Sequence, residues 1–194
     1  MNDLIRMNIH ELNEQGEEQV KTILPARYET SLKYAHEDDR NRCLAAGLLL
    51  IRHLDIQDEG KILYGQFGKP YLADGPEFNL AHSGDWVVLA VSDVPVGIDI
   101  ERIGNRNVKK LARSFPEAEF GWLQEGENPS ERFYTLWTMK ESVMKATGRG
   151  LNLDPRSFSI MPALEGENIK IEGKAFYPES FTFDDYVLSV CREE

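Results

Sequence analysis

The sequence predicts an α+β fold, with helices and antiparallel strands grouped in succession rather than alternating. Three observations carry this. Apolar residues recur at helical spacing in Leu44, Leu48, Ile51 and Leu54. They alternate strictly with Gly97, Asp99 and Glu101 in the segment 96–101, as a strand requires. The order of helices followed by strands then occurs twice along the chain.

The elements follow in order. Residues 37–54 form the first helix, and residues 61–67 a strand. Segments 78–81, 86–91 and 96–101 make an antiparallel group, with His82, Ser83 and Gly84 as a tight turn inside it. In the second half, helices are predicted over residues 108–123 and 131–147. The latter has Asn128 as N-cap, Pro129 at the first position, Glu131 at the third and Gly148 as its stop. Strands near residues 157–161, 169–172, 174–177 and 186–191 close the chain. The boundary between the halves is placed at 101/102, giving domains 1–101 and 102–194.

Composition bounds the function. A chain of 194 residues, 41% hydrophobic, can bury a core in one or two domains. It has no apolar run long enough for a transmembrane helix, and its N-terminus lacks the apolar stretch of a signal peptide. The two cysteines, Cys43 and Cys191, have no metal or redox spacing, so a cytoplasmic protein with free thiols is expected. The net charge of -11 argues against nucleic-acid binding.

The chemistry gathers in two segments about forty residues apart. On the strand 96–101, Val96, Ile98 and Ile100 share one face, and Gly97, Asp99 and Glu101 the other. The two carboxylates sit roughly 7 Å apart along the backbone, close enough for their tips to converge on a hard divalent cation. The same pair could also line the solvated face of a hairpin edge. On the helix 131–147, Phe133, Leu136, Trp137, Val143 and Met144 form an apolar stripe. Trp137, Glu141 and Lys145 stack on one face at i, i+4 and i+8. Lys140 falls inside the stripe and therefore requires a buried partner or a stem that reaches water. Glu141 and Lys145 alone would pass as a surface ion pair. His82 and Ser83 do not read as a nucleophilic pair, because neighbours in sequence seldom have triad geometry and no G-x-S-x-G elbow is present.

Taken together, Gly68-Lys69-Pro70, Phe78-Asn79-x-x-His82-Ser83-Gly84-x-Trp86-Val87, Gly97-Ile98-Asp99-Ile100-Glu101 and Phe133-Tyr134-x-x-Trp137-Thr138-x-Lys140-Glu141-x-x-x-Lys145-x-x-Gly148-x-Gly150-Leu151 resemble the Sfp-type 4'-phosphopantetheinyl transferases in order and spacing. The resemblance implies transfer of the phosphopantetheine arm of coenzyme A to a serine of an acyl or peptidyl carrier protein, with release of 3',5'-ADP. It also implies Mg²⁺ held by Asp99, Glu101 and Glu141, with Lys145 on the diphosphate and Lys140 supporting the site electrostatically. His82 would contact a phosphate of coenzyme A, and Lys69 and Pro70 would lie beside its adenine nucleotide. Arg27 and Arg42 are the candidates for its 3'-phosphate. Glu141 is the base the family implies, with a metal-bound water as the rival. Ala81 stands where relatives often carry serine, so that hydroxyl contact is either missing or supplied by Ser83. The family further implies two similar subdomains related by a pseudo-two-fold, with the site in the cleft between them, and a chain of this length is expected to be a monomer.

The same metal groups would suit an Mg²⁺-dependent hydrolase of coenzyme A or a related nucleotide diphosphate. A non-catalytic coenzyme A binding module would have lost an acid or a lysine, and none is lost here. Carrier proteins are generally acidic, so an acidic transferase needs a local basic patch on which to dock them. The amphipathic stretch 108–115, with Lys109, Lys110 and Arg113, is the candidate together with residues 116–123. It reads equally as a plain surface helix.

Overall fold

Ile5, Met7 and Ile9 alternate inward at the start of the chain. In the computed structural model, which describes residues 2–104, 115–125 and 127–194, the segment Asn2–Asn8 is a strand, β1. The sequence analysis did not anticipate this strand, nor the helices α1 (Glu14–Ile23) and α2 (Pro25–Ser31) that follow it. Asn13 caps α1, its side chain accepting from Gly16 N, and Pro25 opens α2. The predicted first helix is α3, Glu37–His53, which ends one residue early. Only Ile62–Tyr64 of the predicted strand 61–67 is extended (β2). Gly65 and Gly68 then turn the chain, Gly68 at φ 81, into β3 (Pro70–Leu72). Next come β4 (Glu77–Ser83) and β5 (Trp86–Ser92).

These elements make one compact unit, Met1–Asp93. β5 lies at the centre of a three-stranded antiparallel sheet between β1 and β4, and β2–β3 is a separate hairpin. Val20, Leu24, Leu44 and Leu48 from the helices and Phe78, Val87 and Leu89 from the sheet form its core.

The second unit, Val94–Glu194, holds β6 (Val96–Arg102), α4 (Glu117–Gln124), α5 (Pro129–Ala146), the short α6 (Met161–Leu164), β7 (Ile169–Ile171), β8 (Lys174–Phe183) and β9 (Tyr186–Glu193). Its antiparallel sheet runs β6-β9-β8-β7. Two expectations are corrected here. β6 does not join β4 and β5; it pairs with β9 from the end of the chain, Asp99 opposite Ser189 and Glu101 opposite Val187. Local spacing cannot reveal a partner about ninety residues away. Residues 157–161 are not a strand either. Side chains take up their backbone groups in place of a neighbouring strand, as the next subsection describes, and Met161 and Pro162 begin α6. Of the predicted helix 108–123, residues 108–114 lie outside the described residues, and the remainder supplies α4.

Helix α5 lies across β6, β8 and β9 and supplies much of this unit's core, with Leu136, Met139 and Val143 against Phe176, Val187 and Cys191. Its start is as predicted: the Asn128 side chain accepts from Glu131 N at 3.3 Å and donates to Glu131 Oε2 at 3.0 Å. Gly148 takes a φ of 72 just past its end.

Candidate active site

Gly97 decides how closely β6 can approach α5. A Cβ built on it would overlap Ser142 O and Ala146 N. With no Cβ there, the strand lies directly beneath the helix. The face that carries Gly97, Asp99 and Glu101 is therefore covered rather than solvated: Asp99 is only 7% exposed and Glu101 is half-buried. Behind Asp99, Thr138 Oγ1 and Ser189 Oγ hydrogen-bond at 2.7 Å, tying α5 to β9.

Along α5 the strip of Trp137, Glu141 and Lys145 remains partly exposed on a helix that is otherwise largely buried. Trp137 is fixed by stacking on Phe133, with centroids 6.4 Å apart. Lys145 reaches down to β6. Its Nζ donates to Asp99 Oδ1 at 2.6 Å and to Ile98 O at 3.1 Å. The other oxygen of Asp99, Oδ2, is buried without a hydrogen-bond partner among the described residues.

Burial pushes the Asp99 carboxyl up to about 7. Lys145 opposes that rise, while Glu141 and Glu101 add to it. The ion pair by itself would hold Asp99 ionised, but burial and two neighbouring negative charges outweigh it. Burial likewise raises Glu141, with Lys145 opposing and Glu101 adding. Asp99, Glu101 and Glu141 therefore lie within one electrostatic neighbourhood and repel one another. A cation would relieve this repulsion, and the buried Asp99 Oδ2 is an oxygen ligand of the hard type a divalent ion takes. The donor chemistry fits such an ion. As the side chains stand, no three His, Cys, Asp or Glu among the described residues converge on a metal position, and the Lys145 ammonium supplies the positive charge beside Asp99.

Lys140, expected to support the same group electrostatically, has partners other than those of Asp99. It is completely buried. Its Nζ lies 3.0 Å from Glu119 Oε1 on α4 and donates to Pro155 O and Phe158 O at 2.7 and 2.8 Å. It also sits 4.4 Å from the centroid of the Phe158 ring. Glu119 in turn accepts from Ile160 N at 2.8 Å. Burial lowers the Lys140 pKa, and Glu119 opposes the shift. Lys140 and Glu119 thus pin the segment 155–160 onto α5 and α4. The intrusion of Lys140 into the apolar stripe signals a buried partner, but nothing in sequence spacing identifies Glu119.

The remaining candidates lie in the first unit. His82 is exposed at the end of β4, and Ser83 is half-buried beside it, opposite Trp86. Arg42 donates to Gly84 O, in the turn after His82, and pairs with Asp39. That hydrogen bond, with His36 and His82 contributing more weakly, holds Asp39 below the ordinary carboxylate range. Arg42 thereby ties the β4–β5 turn to α3. Arg27 is half-buried on α2, with Nη1 3.5 Å from Cys43 O. Lys69 lies 3.9 Å from Glu77 Oε2, next to Pro70 at the start of β3. Sequence reasoning missed Asp39 and Glu119, the acids that hold two of the named cations.

Comparison with known proteins adds a family. Residues 95–191 match the model of the 4'-phosphopantetheinyl transferase superfamily. The chain is 37% identical over 173 residues to 4'-phosphopantetheinyl transferase gsp of Aneurinibacillus migulanus, covering 82% of this chain and 72% of that protein. It is 31% identical over 192 residues to 4'-phosphopantetheinyl transferase Sfp of Bacillus subtilis, covering 92% and 85%. A match of 33% over 174 residues reaches the L-aminoadipate-semialdehyde dehydrogenase-phosphopantetheinyl transferase of Xenopus laevis, covering 74% of this chain and 57% of that protein.

Proposed function

The chain belongs to the 4'-phosphopantetheinyl transferase superfamily, and on that premise we propose that it moves the phosphopantetheine arm of coenzyme A onto a serine of an acyl or peptidyl carrier protein, releasing 3',5'-ADP. The observation that carries this reading is the buried Asp99 beside Glu101 and Glu141, with Lys145 reaching it from α5.

In such a transfer the serine oxygen attacks the phosphorus that bears the pantetheine arm. The diphosphate P–O bond breaks, and the nucleotide leaves with the bond's electrons. Positioning and charge neutralisation do most of the work. Asp99, Glu101 and Glu141 would hold Mg²⁺, which supplies charge stabilisation on the diphosphate oxygens when bound. Lys145 serves as a point charge for the diphosphate, already partly desolvated in a gap between strand and helix. Glu141 takes the proton of the attacking serine. The first unit provides the nucleotide contacts through Arg27, Arg42, Lys69, Pro70, His82 and Ser83, with Arg42 also fixing the turn that presents the last two. The carrier docks on residues 108–123. The protein acts as a monomer in the cytoplasm, in keeping with the free thiols of Cys43 and Cys191.

The test is to incubate the protein with Mg²⁺, coenzyme A and a panel of apo carrier proteins and to weigh the products. One added phosphopantetheine arm on a carrier is the expected result. Cleavage of coenzyme A with every carrier unmodified would overturn the reading in favour of hydrolysis.

A further inference from the structure

Arginines 40 and 42 of the first unit each pair with an acid: Arg40 with Glu17 and Arg42 with Asp39. Arg27 is different. Among the described residues its guanidinium has no carboxylate partner, and its hydrogen bond is the long one to Cys43 O. Most of its five N–H donors are therefore left for a ligand. A carboxylate does stand beside it, but on its backbone. Helix α2 has only seven residues, and its N-cap, Leu24, offers no capping side chain. Pro25 has no N–H, so the first amides that need acceptors are those of Ala26 and Arg27. Both go to Glu59, thirty-two residues further on from Arg27. Ala26 N donates to Oε2 at 2.9 Å and Arg27 N to Oε1 at 3.2 Å.

Glu59 is itself fixed in a short helical turn, Glu59–Lys61, which the Asp58 side chain caps through Gly60 N at 2.8 Å. The other side of Arg27 is held by α3. Cys43 Sγ donates to Arg27 O, and the stem of Arg27 lies against Gly47, where a Cβ would come within 2.7 Å of its Cδ. The backbone is thus clamped at both its N–H and its C=O, and the side chain is laid along a groove that only glycine leaves open.

We propose that Glu59 is a positioning residue that clamps α2 so that Arg27 presents its guanidinium to a phosphate group of coenzyme A. This rests on the reading of Arg27 as a contact to the 3'-phosphate. Electrostatics alone predicts the opposite sign for Glu59, because removing a carboxylate near a phosphate site should strengthen anion binding. The clamp predicts that removing it weakens binding.

The experiment measures coenzyme A and 3'-dephospho-coenzyme A binding by titration calorimetry, together with KM and kcat, for Arg27→Ala, Glu59→Ala and the double variant. Arg27→Ala should weaken coenzyme A binding about tenfold, the worth of one charge-assisted contact, and dephospho-coenzyme A much less. Glu59→Ala should weaken coenzyme A binding about threefold, raising its KM more than it lowers kcat and leaving the carrier KM unchanged. Added to Arg27→Ala, it should cost nothing more. Glu59→Gln, which keeps one acceptor oxygen, should fall between. Should Glu59→Ala fail to fold, Gly47→Ala displaces the same side chain and should produce the same selective loss. If Arg27→Ala weakens binding while Glu59→Ala leaves it unchanged or tightens it, the clamp is wrong and the phosphate contact stands. If Arg27→Ala has no effect on coenzyme A, the phosphate contact itself fails and the clamp with it.

Discussion

At the scale of single residues, Asp99 and Lys140 show how burial assigns different work to charges in adjoining motifs. Asp99 has an ordinary carboxyl pKa of 3.8 in the unfolded chain and about 7 in the folded one. The folded protein therefore binds more protons in that window, so the stability Asp99 contributes is full below about pH 4 and is lost as pH rises towards about 7. Urea denaturation of metal-free protein should show this fall, and Asp99→Asn should flatten it. An unchanged slope in the variant would mean that Asp99 titrates normally. Lys140 makes a different prediction. Removing one partner of a buried pair leaves the other charge stranded, so Lys140→Met should cost about 3–5 kcal/mol of stability. Pairing it with Glu119→Leu should recover much of that loss, because both charges are then gone. If Lys140→Met instead kept full stability and lost only turnover, the lysine would be acting in the chemistry. The sequence revealed that Lys140 sits against its periodicity, but not where its charge goes, since Glu119 lies on another helix and Pro155 and Phe158 accept its hydrogen bonds through backbone oxygens.

At the scale of elements, the candidate site residues depend on the contact between β6 and α5. Gly97 sets that spacing, and its replacement by alanine would drive a methyl group into the backbone of Ser142 and Ala146. The strand or helix would have to move, at a cost of about 1–3 kcal/mol. The Asp99–Lys145 pair would open with it, so Gly97→Ala should lower kcat well beyond what its loss of stability explains, measured at a temperature where the variant is fully folded. Asn128→Ala tests the other end of α5 and should cost about 1 kcal/mol through loss of its cap, with activity largely kept. The helix α5, its cap and its glycine stop were legible in the sequence because each signal is local. The pairing of β6 with β9 was not, and neither was the irregular course of residues 157–160, where side chains of distant helices replace a strand partner.

At the scale of the whole molecule, the net charge of -11 opposes long-range attraction to an acidic carrier protein. Docking must then rest on local features, and reversing the charges of Lys109, Lys110 and Arg113 should raise KM for the carrier while leaving that for coenzyme A unchanged. No change in the KM of either substrate would remove that stretch from the dock. Among the described residues no helix is long and apolar enough to cross a membrane. The sequence by itself determined the α+β class, the identity of the motifs and the family to which they point. These are carried by residue types at short spacings, where periodicity and capping act. Only the tertiary structure decided that Asp99 is covered and shifted, that Lys145 is its partner, that Lys140 is spent on Glu119, and that Glu59 reaches α2. Each of these depends on bringing together residues far apart in the chain, and burial, which sets the energy of a charge, exists only once they meet.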